Sequence, residues 1–147
     1  VPVLTWMGLI FAAFGSPDLA PTAIGGNLEL SLLPDPHVFA SGEFRYHTGA
    51  FAVLALLLYP LLSAHVARPI HRLCLAVLLL AAAYAVADEL HQAFVPGRTA
   101  SVLDVGYDLL GVLLVLLSFR ALGSLRTALR GKLSLPSVVR TLASLRL

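Results

Sequence analysis

The sequence predicts an all-α membrane protein, a polytopic bundle of four transmembrane helices followed by a basic amphipathic C-terminal tail. The prediction depends on composition, on four apolar stretches and on where the charged residues lie. Of the 147 residues, 59% are hydrophobic and 12% are charged, whereas a soluble domain carries roughly 25% charged residues. Too few polar residues are left to cover a surface exposed to water. A soluble enzyme is therefore excluded.

Four apolar stretches provide the predicted spans. The first, from Val3 to Phe14, has about 12 residues and would rise only about 18 Å as a helix, short of the ~30 Å hydrocarbon core. It has to extend past its ends or be truncated. The other three run from about Arg45 to Ala64, Leu73 to Phe94 and Ser101 to Phe119, and each is long enough to span.

The connections between the stretches differ in length. Residues 15–42 are rich in proline and glycine, which predicts a loop with one short interfacial piece at residues 27–33. Pro96, Gly97 and Arg98 form a short turn between spans three and four, so those spans are expected to be antiparallel neighbours. We expect a four-helix transmembrane domain at residues 1–119 and a cytoplasmic, membrane-surface tail at residues 120–147.

Basic residues in short connections set the predicted orientation. Arg68 and Arg72 lie between spans two and three, and the other basic residues of this group follow span four: Arg120, Arg126, Arg130, Lys132, Arg140 and Arg146. We place both groups in the cytoplasm. The acidic residues then fall on the opposite side: Asp18, Glu29, Asp35, Glu43, Asp88, Glu89, Asp104 and Asp108. The protein is thus expected in the inner membrane of the cell, with both termini cytoplasmic.

The tail predicts the lipid bilayer as a partner. Leu122, Leu125 and Leu129 have helical spacing beside Arg126 and Arg130, a pattern typical of helices that lie on an anionic membrane surface. The net charge of +2 comes without interleaved aromatic and basic residues, so no nucleic-acid partner is expected.

Polar residues are concentrated at the outer ends of spans two to four. Helical neighbours lie three and four residues apart, so Asp88, His91 and Gln92 share one face of span three, and Asp104 and Asp108 form a stripe on span four. Charged groups that face lipid cost several kcal/mol each, at least about 2.5 at the bilayer centre. These side chains are therefore expected to converge inside the bundle. The candidate site residues are Glu43, Arg45, His47, Asp88, Glu89, His91, Gln92, Arg98, Asp104 and Asp108.

Three functions fit this cluster, and whether the protein is an enzyme stays open. In an enzyme, Glu89, His91 and Asp88 would be the catalytic acid and base groups acting on a lipid-linked or cell-wall substrate, which the other candidates would bind. In a transport protein, Arg45 and Arg98 would hold an anionic head group while carboxylates and histidines relay protons. In an accessory subunit of a larger membrane complex, the cluster would only hold the helices together.

The sequence assigns no metal and no cofactor. Asp88 and His91 have the i, i+3 spacing of carboxylate-bridged helical bundles, but such sites need a second motif of this kind and two further carboxylates. No HExxH motif is present. If a metal were bound, the expected ligands would be Asp88, His91, Asp104 and Asp108.

The run DELHQAFVPGRTASVLDVGYDLLG, residues 88–111, resembles the signature of the VanZ-like family of small bacterial membrane proteins. That signature reads approximately D-E-x-x-Q, then P-G-R, then a spaced D and an N before a Gly. The matching residues are Asp88, Glu89, Gln92, Arg98, Asp104 and Gly111, and His91 lies where the family often has His.

Two positions depart from the family pattern. Its Asn is Asp108 here, and its D-K-x-x-H at the start of span two reads Glu43, Phe44, Arg45, Tyr46, His47, with the base displaced by one position. The resemblance implies an integral protein of the bacterial cell envelope. The founding member of the family is linked to low-level resistance to the glycopeptide teicoplanin.

Overall fold

The computed structural model describes residues 2–16, 42–65 and 69–133. Within these ranges the chain forms four helices: α1 (Pro2–Phe14), α2 (Gly42–Ser63), α3 (Ile70–Gln92) and α4 (Val102–Leu133). The all-α prediction is confirmed. The predicted interfacial piece at residues 27–33, Arg68 and the tail beyond residue 133 lie outside the described residues.

Three of the four helices are long and apolar enough to cross a membrane: α2, α3 and residues 102–130 of α4. α1 is apolar but has only 13 residues, as its short apolar stretch predicts. Large apolar side chains are exposed along the long helices, among them Leu79 and Leu117. Such surfaces are stable against lipid and not against water, so the protein is a membrane protein.

α4 is longer than predicted. It continues without a break to Leu133, whereas span four was expected to end near Phe119 and a separate tail to follow. The reason is local: no proline occurs in this stretch, and the leucines of the expected tail continue the helical spacing. Ser124 Oγ and Thr127 Oγ1 each donate a hydrogen bond of 3.0 Å to the carbonyl oxygen four residues earlier.

The chain divides into two compact units, residues 1–116 and 117–147. The predicted boundary at residue 119, between a transmembrane domain and a cytoplasmic tail, stays a prediction. The apolar core of the first unit contains small residues on facing helices, including Ala55, Ala81 and Ala85, each 0% exposed. Small side chains let helix backbones approach closely, which is how helices associate in membranes without a hydrophobic drive between them.

Hydrogen bonds from two aromatic side chains attach α1 to its neighbours. Trp6 Nε1 donates to the carbonyl oxygen of Ala50 on α2 at 2.9 Å, and the Tyr84 hydroxyl on α3 donates to the carbonyl oxygen of Met7. At the end of α1, Phe14 stacks on His47 near the start of α2. The end of α1 and the start of α2 therefore lie together.

α2 and α4 approach each other closely at Gly111. A Cβ atom on Gly111 would overlap the carbonyl oxygen of Thr48. Four residues earlier on α4, the carbonyl oxygen of Tyr107 accepts a hydrogen bond of 3.2 Å from Thr48 Oγ1. This contact fixes α2 against the first turns of α4.

Replacing Gly111 by Ala is expected to destabilise the first unit by about 1–3 kcal/mol, because the added methyl group forces the α2 backbone away. The measurement is the free energy of unfolding in detergent, followed by helical circular dichroism. Gly106→Ala is the matched control on the same helix, since a Cβ there meets nothing within 4 Å. Equal stability of the two variants would contradict the close approach.

Candidate functional site

Polar side chains from α2, α3, α4 and the α3–α4 turn meet at one end of the first unit. The buried polar and charged residues among the described ones are each at most 8% exposed: His47, Asp88, Glu89, Gln92, Arg98, Asp104 and Asp108. We call this set the polar layer. Every member is one of the site residues predicted from the sequence, although their role as a functional site stays a prediction.

His47 lies between the two acidic residues of α4. Its Nδ1 is 3.0 Å from Asp108 Oδ1, and its Nε2 is 3.9 Å from Asp104 Oδ2. When Asp108 is ionised, its carboxylate can only accept, and the proton of this contact is then on Nδ1. The ring stacks on Phe14, with centroids 4.3 Å apart and planes inclined by 5°, so its orientation is fixed from both sides.

Gln92 connects the arginine of the layer to two carboxylates. Arg98 Nη2 donates to Gln92 Oε1 at 2.8 Å, and Gln92 Nε2 donates to Asp88 Oδ2 at 3.0 Å and to Glu89 Oε1 at 3.1 Å. The amide thus uses its acceptor for the cation and its donors for the anions. An amide at this position orients both carboxylates without adding charge.

The turn between α3 and α4 brings Arg98 and Glu89 into place. Gly97 has φ 83°, a conformation that a side chain would disfavour, and the Arg98 amide donates to the Val95 carbonyl oxygen at 3.1 Å. Beyond the turn, the amide of Ser101 donates to Glu89 Oε2 at 2.7 Å. Glu89 therefore joins the end of α3 to the start of α4.

Three predicted site residues lie at the edge of the polar layer or outside it. His91 is partly buried and stacks on Phe11, with ring centroids 3.6 Å apart, so it faces α1. Glu43 and Arg45 are exposed in the first turns of α2. Arg45 is two residues before His47, about 200° around the helix, which explains why both cannot face the layer.

Two carboxylate oxygens of the layer are buried without a hydrogen-bond partner among the described residues. They are Asp88 Oδ1 and Asp108 Oδ2, and both side chains are 0% exposed. Buried polar atoms are nearly always hydrogen-bonded in folded proteins, so each of these oxygens is a position that a proton, water, ion or ligand can contact. His91 Nδ1 is a third such atom in this part of the chain.

Negative charge exceeds positive charge in the layer. Four carboxylates face one guanidinium and one imidazole. Two unit charges of like sign 4 Å apart repel by about 4 kcal/mol at an effective dielectric constant of 20. Bound protons or a bound cation would relieve this repulsion, whereas an anionic ligand would increase it.

One group of donor atoms lies close enough together to hold a metal ion. A ligand atom from each of His47, Glu89 and Asp104 lies within 4.8 Å of the others. Of the ligands named from the sequence, only Asp104 belongs to this group. Helical spacing on single helices could not find it, because its members come from three different helices.

The residues that resemble the family signature include those that form the polar layer. The VanZ/LLP1 family matches the chain over residues 2–123. The chain belongs to this family. No match is found among curated proteins or among solved structures. Within this VanZ/LLP1 chain, all of the polar layer and the close α2–α4 contact at Gly111 lie inside the matched region.

Removal of the arginine from this VanZ/LLP1 polar layer should cost stability. Arg98→Ala takes the donor from buried Gln92 Oε1 and a positive charge from beside the carboxylates, with an expected loss of about 3 kcal/mol. The measurement is accumulation in the membrane and unfolding in detergent. Arg45→Ala, at an exposed arginine, is the control; a variant at Arg98 as stable as this control would contradict the assigned role.

Proposed function

We propose that this VanZ/LLP1 protein acts on, or binds, a lipid-linked or cell-wall substrate at the outer face of the bacterial inner membrane, and thereby changes tolerance of glycopeptide antibiotics such as teicoplanin. The supporting observation is the polar layer with its unpartnered oxygens on Asp88 and Asp108. A layer that served only to hold helices together would be expected to satisfy its buried acceptors.

Glu89 is the proposed acid–base residue. Its two oxygens accept hydrogen bonds from the Ser101 amide and from Gln92, which fixes the carboxylate while leaving each oxygen a further lone pair. Asp88 and His91 are the other proposed catalytic residues, since each has a buried atom available for a new hydrogen bond. A fixed carboxylate next to such atoms is suited to proton transfer with a bound substrate.

The remaining candidates are proposed to bind and to position. His47, Gln92, Asp104 and Asp108 hold the layer through the contacts described above, together with Arg98. Glu43 and Arg45 are exposed near the start of α2, at the same end of the helix as His47. There they can contact the polar part of a substrate that approaches from the membrane surface.

An accessory role in a larger membrane complex is the second candidate. The connected bonds from Arg98 through Gln92 to Asp88 and Glu89 favour it, because such chains stabilise helix packing within a membrane. Transport of an anion receives less support. Arg98 bonds to Gln92 and Arg45 is exposed, so the two arginines do not form one anion site.

The orientation belongs to the proposal. His47 near the start of α2, Glu89 near the end of α3 and Asp104 near the start of α4 lie at one end of the first unit, and Arg72 in the first turn of α3 belongs to the opposite end. By the positive-inside rule the end near Arg72 is cytoplasmic. The polar layer then faces outward.

A reporter fused after Leu147 tests this orientation. A fluorescent protein that matures only in the cytoplasm should be bright there, and a phosphatase active only after export should be inactive. Insertion of the phosphatase at the Gly97 turn gives the opposite expectation and serves as the internal control. An active phosphatase after Leu147 would place the polar layer on the inner face.

Glu89→Gln separates chemistry from support. The amide keeps the shape of the side chain and one of its two acceptor oxygens, and it removes the ionisable group. The retained oxygen can still accept from the Ser101 amide, so the protein should still accumulate in the membrane. Under the proposed function the variant loses the protein's effect on tolerance of a lipoglycopeptide, measured as the inhibitory concentration in a strain that lacks the native copy.

The matched control is Glu43→Gln, which makes the same change at an exposed carboxylate of α2 and should lower the effect much less. If Glu89→Gln behaves as wild type while Arg98→Ala fails to accumulate, the accessory role replaces the proposed one.

A further inference from the structure

We propose that the polar layer binds a divalent transition-metal ion through His47, Glu89 and Asp104. The inference rests on the proposed function, because it assigns a cofactor to the same site. With the ion bound, Glu89 would be a ligand, and the acid–base role would fall to Asp88 and His91, the other proposed catalytic residues. The inference starts from the grouping of one ligand atom each of His47, Glu89 and Asp104 within 4.8 Å. Donor atoms that share an ion at 2.0–2.2 Å are separated by roughly 3–4.4 Å, so small side-chain adjustments complete the site.

His47 is held as a metal-binding histidine is held. A ligating imidazole typically donates its second ring N–H to a carboxylate, which fixes both the tautomer and the ring plane. Here Nδ1 faces Asp108 Oδ1 at 3.0 Å, and with Asp108 ionised the proton is on Nδ1 and the lone pair is on Nε2. Nε2 lies 3.9 Å from Asp104 Oδ2, too far for a hydrogen bond but suitable for two ligands of one ion.

Glu89 and Asp104 can each supply an oxygen without losing their present bonds. Glu89 accepts from the Ser101 amide through Oε2 and from Gln92 through Oε1, and each oxygen has a second lone pair. Asp104 is the carboxylate that faces Nε2 of His47, and the backbone of its helix is fixed against α2 at Gly111. The three ligands come from α2, α3 and α4, so an ion would join these helices.

The unpartnered oxygens provide an independent observation. Asp108 carries one on the carboxylate that orients His47, and Asp88 carries another on the carboxylate that bonds to Gln92; both residues are 0% exposed. Together with Glu89 and Asp104 they give the polar layer an excess of negative charge. A divalent cation would offset two of these charges.

The donor set indicates the class of metal. One imidazole nitrogen with two carboxylates favours Zn²⁺, Mn²⁺ or Fe²⁺ over Mg²⁺ and Ca²⁺, which prefer oxygen ligands alone, and the absence of thiolate from the group disfavours Cu⁺. Three protein ligands also leave a coordination position for water or for a substrate oxygen. Such a position is what a phosphoryl or acyl group of a lipid-linked substrate requires from a Lewis acid.

Zinc binding to the full chain tests the inference. The protein is purified in detergent with a tag that contains no histidine, equilibrated with ZnCl₂, and freed of excess metal by gel filtration. Elemental analysis should find about one Zn²⁺ per chain, as expected for one such site, and an excess of MgCl₂ should not displace it. Bound zinc should also raise the unfolding temperature.

Variants assign the ligands. His47→Ala and Asp104→Asn should each weaken Zn²⁺ binding more than tenfold, and Asp108→Asn should weaken it about 10–100-fold, because it removes the orienting carboxylate and not a ligand. His65→Ala, at an exposed histidine near the end of α2, should bind as wild type.

The outcomes separate the metal from the proposed function. If His47→Ala does not yield a monodisperse protein, Asp104→Asn decides. No retained zinc in the wild type, or equal zinc in wild type, His47→Ala and Asp104→Asn, overturns the metal site. In that case, loss of the effect on lipoglycopeptide tolerance in the Glu89→Gln variant still supports the proposed function. If the wild type binds zinc as expected but the Glu89→Gln variant has the normal effect on tolerance, the metal site is supported and the proposed function is rejected.

Discussion

Burial of four carboxylates at one end of a helical unit is the constraint that explains the other features of this end. Each carboxylate taken from water has to recover hydrogen bonds and opposite charge from the protein. Gln92 supplies donors to Asp88 and Glu89, Ser101 supplies its amide to Glu89, and His47 faces Asp108. Gly97 allows the turn that brings Arg98 back to Gln92.

Close packing of α2 and α4 follows from the same constraint. The His47 side chain can reach both Asp104 and Asp108 on α4 because the backbones of α2 and α4 approach each other at Gly111. A larger residue there would separate the helices and leave His47 without either partner. The apolar core below, with Leu54, Val77 and Val112 each 0% exposed, continues this close contact toward the other end.

The features that could be predicted are those that depend on one helix at a time. Apolar length gave α2 and α3, and spacing of three or four residues gave the shared faces of Asp88 with Gln92 and of Asp104 with Asp108. The register between helices could not be predicted, so His47, Glu89 and Asp104 were expected in one layer but not as one set of possible metal ligands. The end of α4 was wrong because its leucine spacing is the same on both sides of Phe119.

Hydrogen-bond connections distinguish two parts of the polar layer. Toward the α3–α4 turn, Gln92 uses both its donor and its acceptor, and both oxygens of Glu89 accept, so this part is suited to holding shape. Around His47, Asp108 keeps an unpartnered oxygen among the described residues, and Nε2 is beyond hydrogen-bond distance of Asp104. Glu89 belongs to both parts, because it is bonded to the turn and grouped with His47. Glu89 therefore connects the surroundings of His47 to the α3–α4 turn through one side chain.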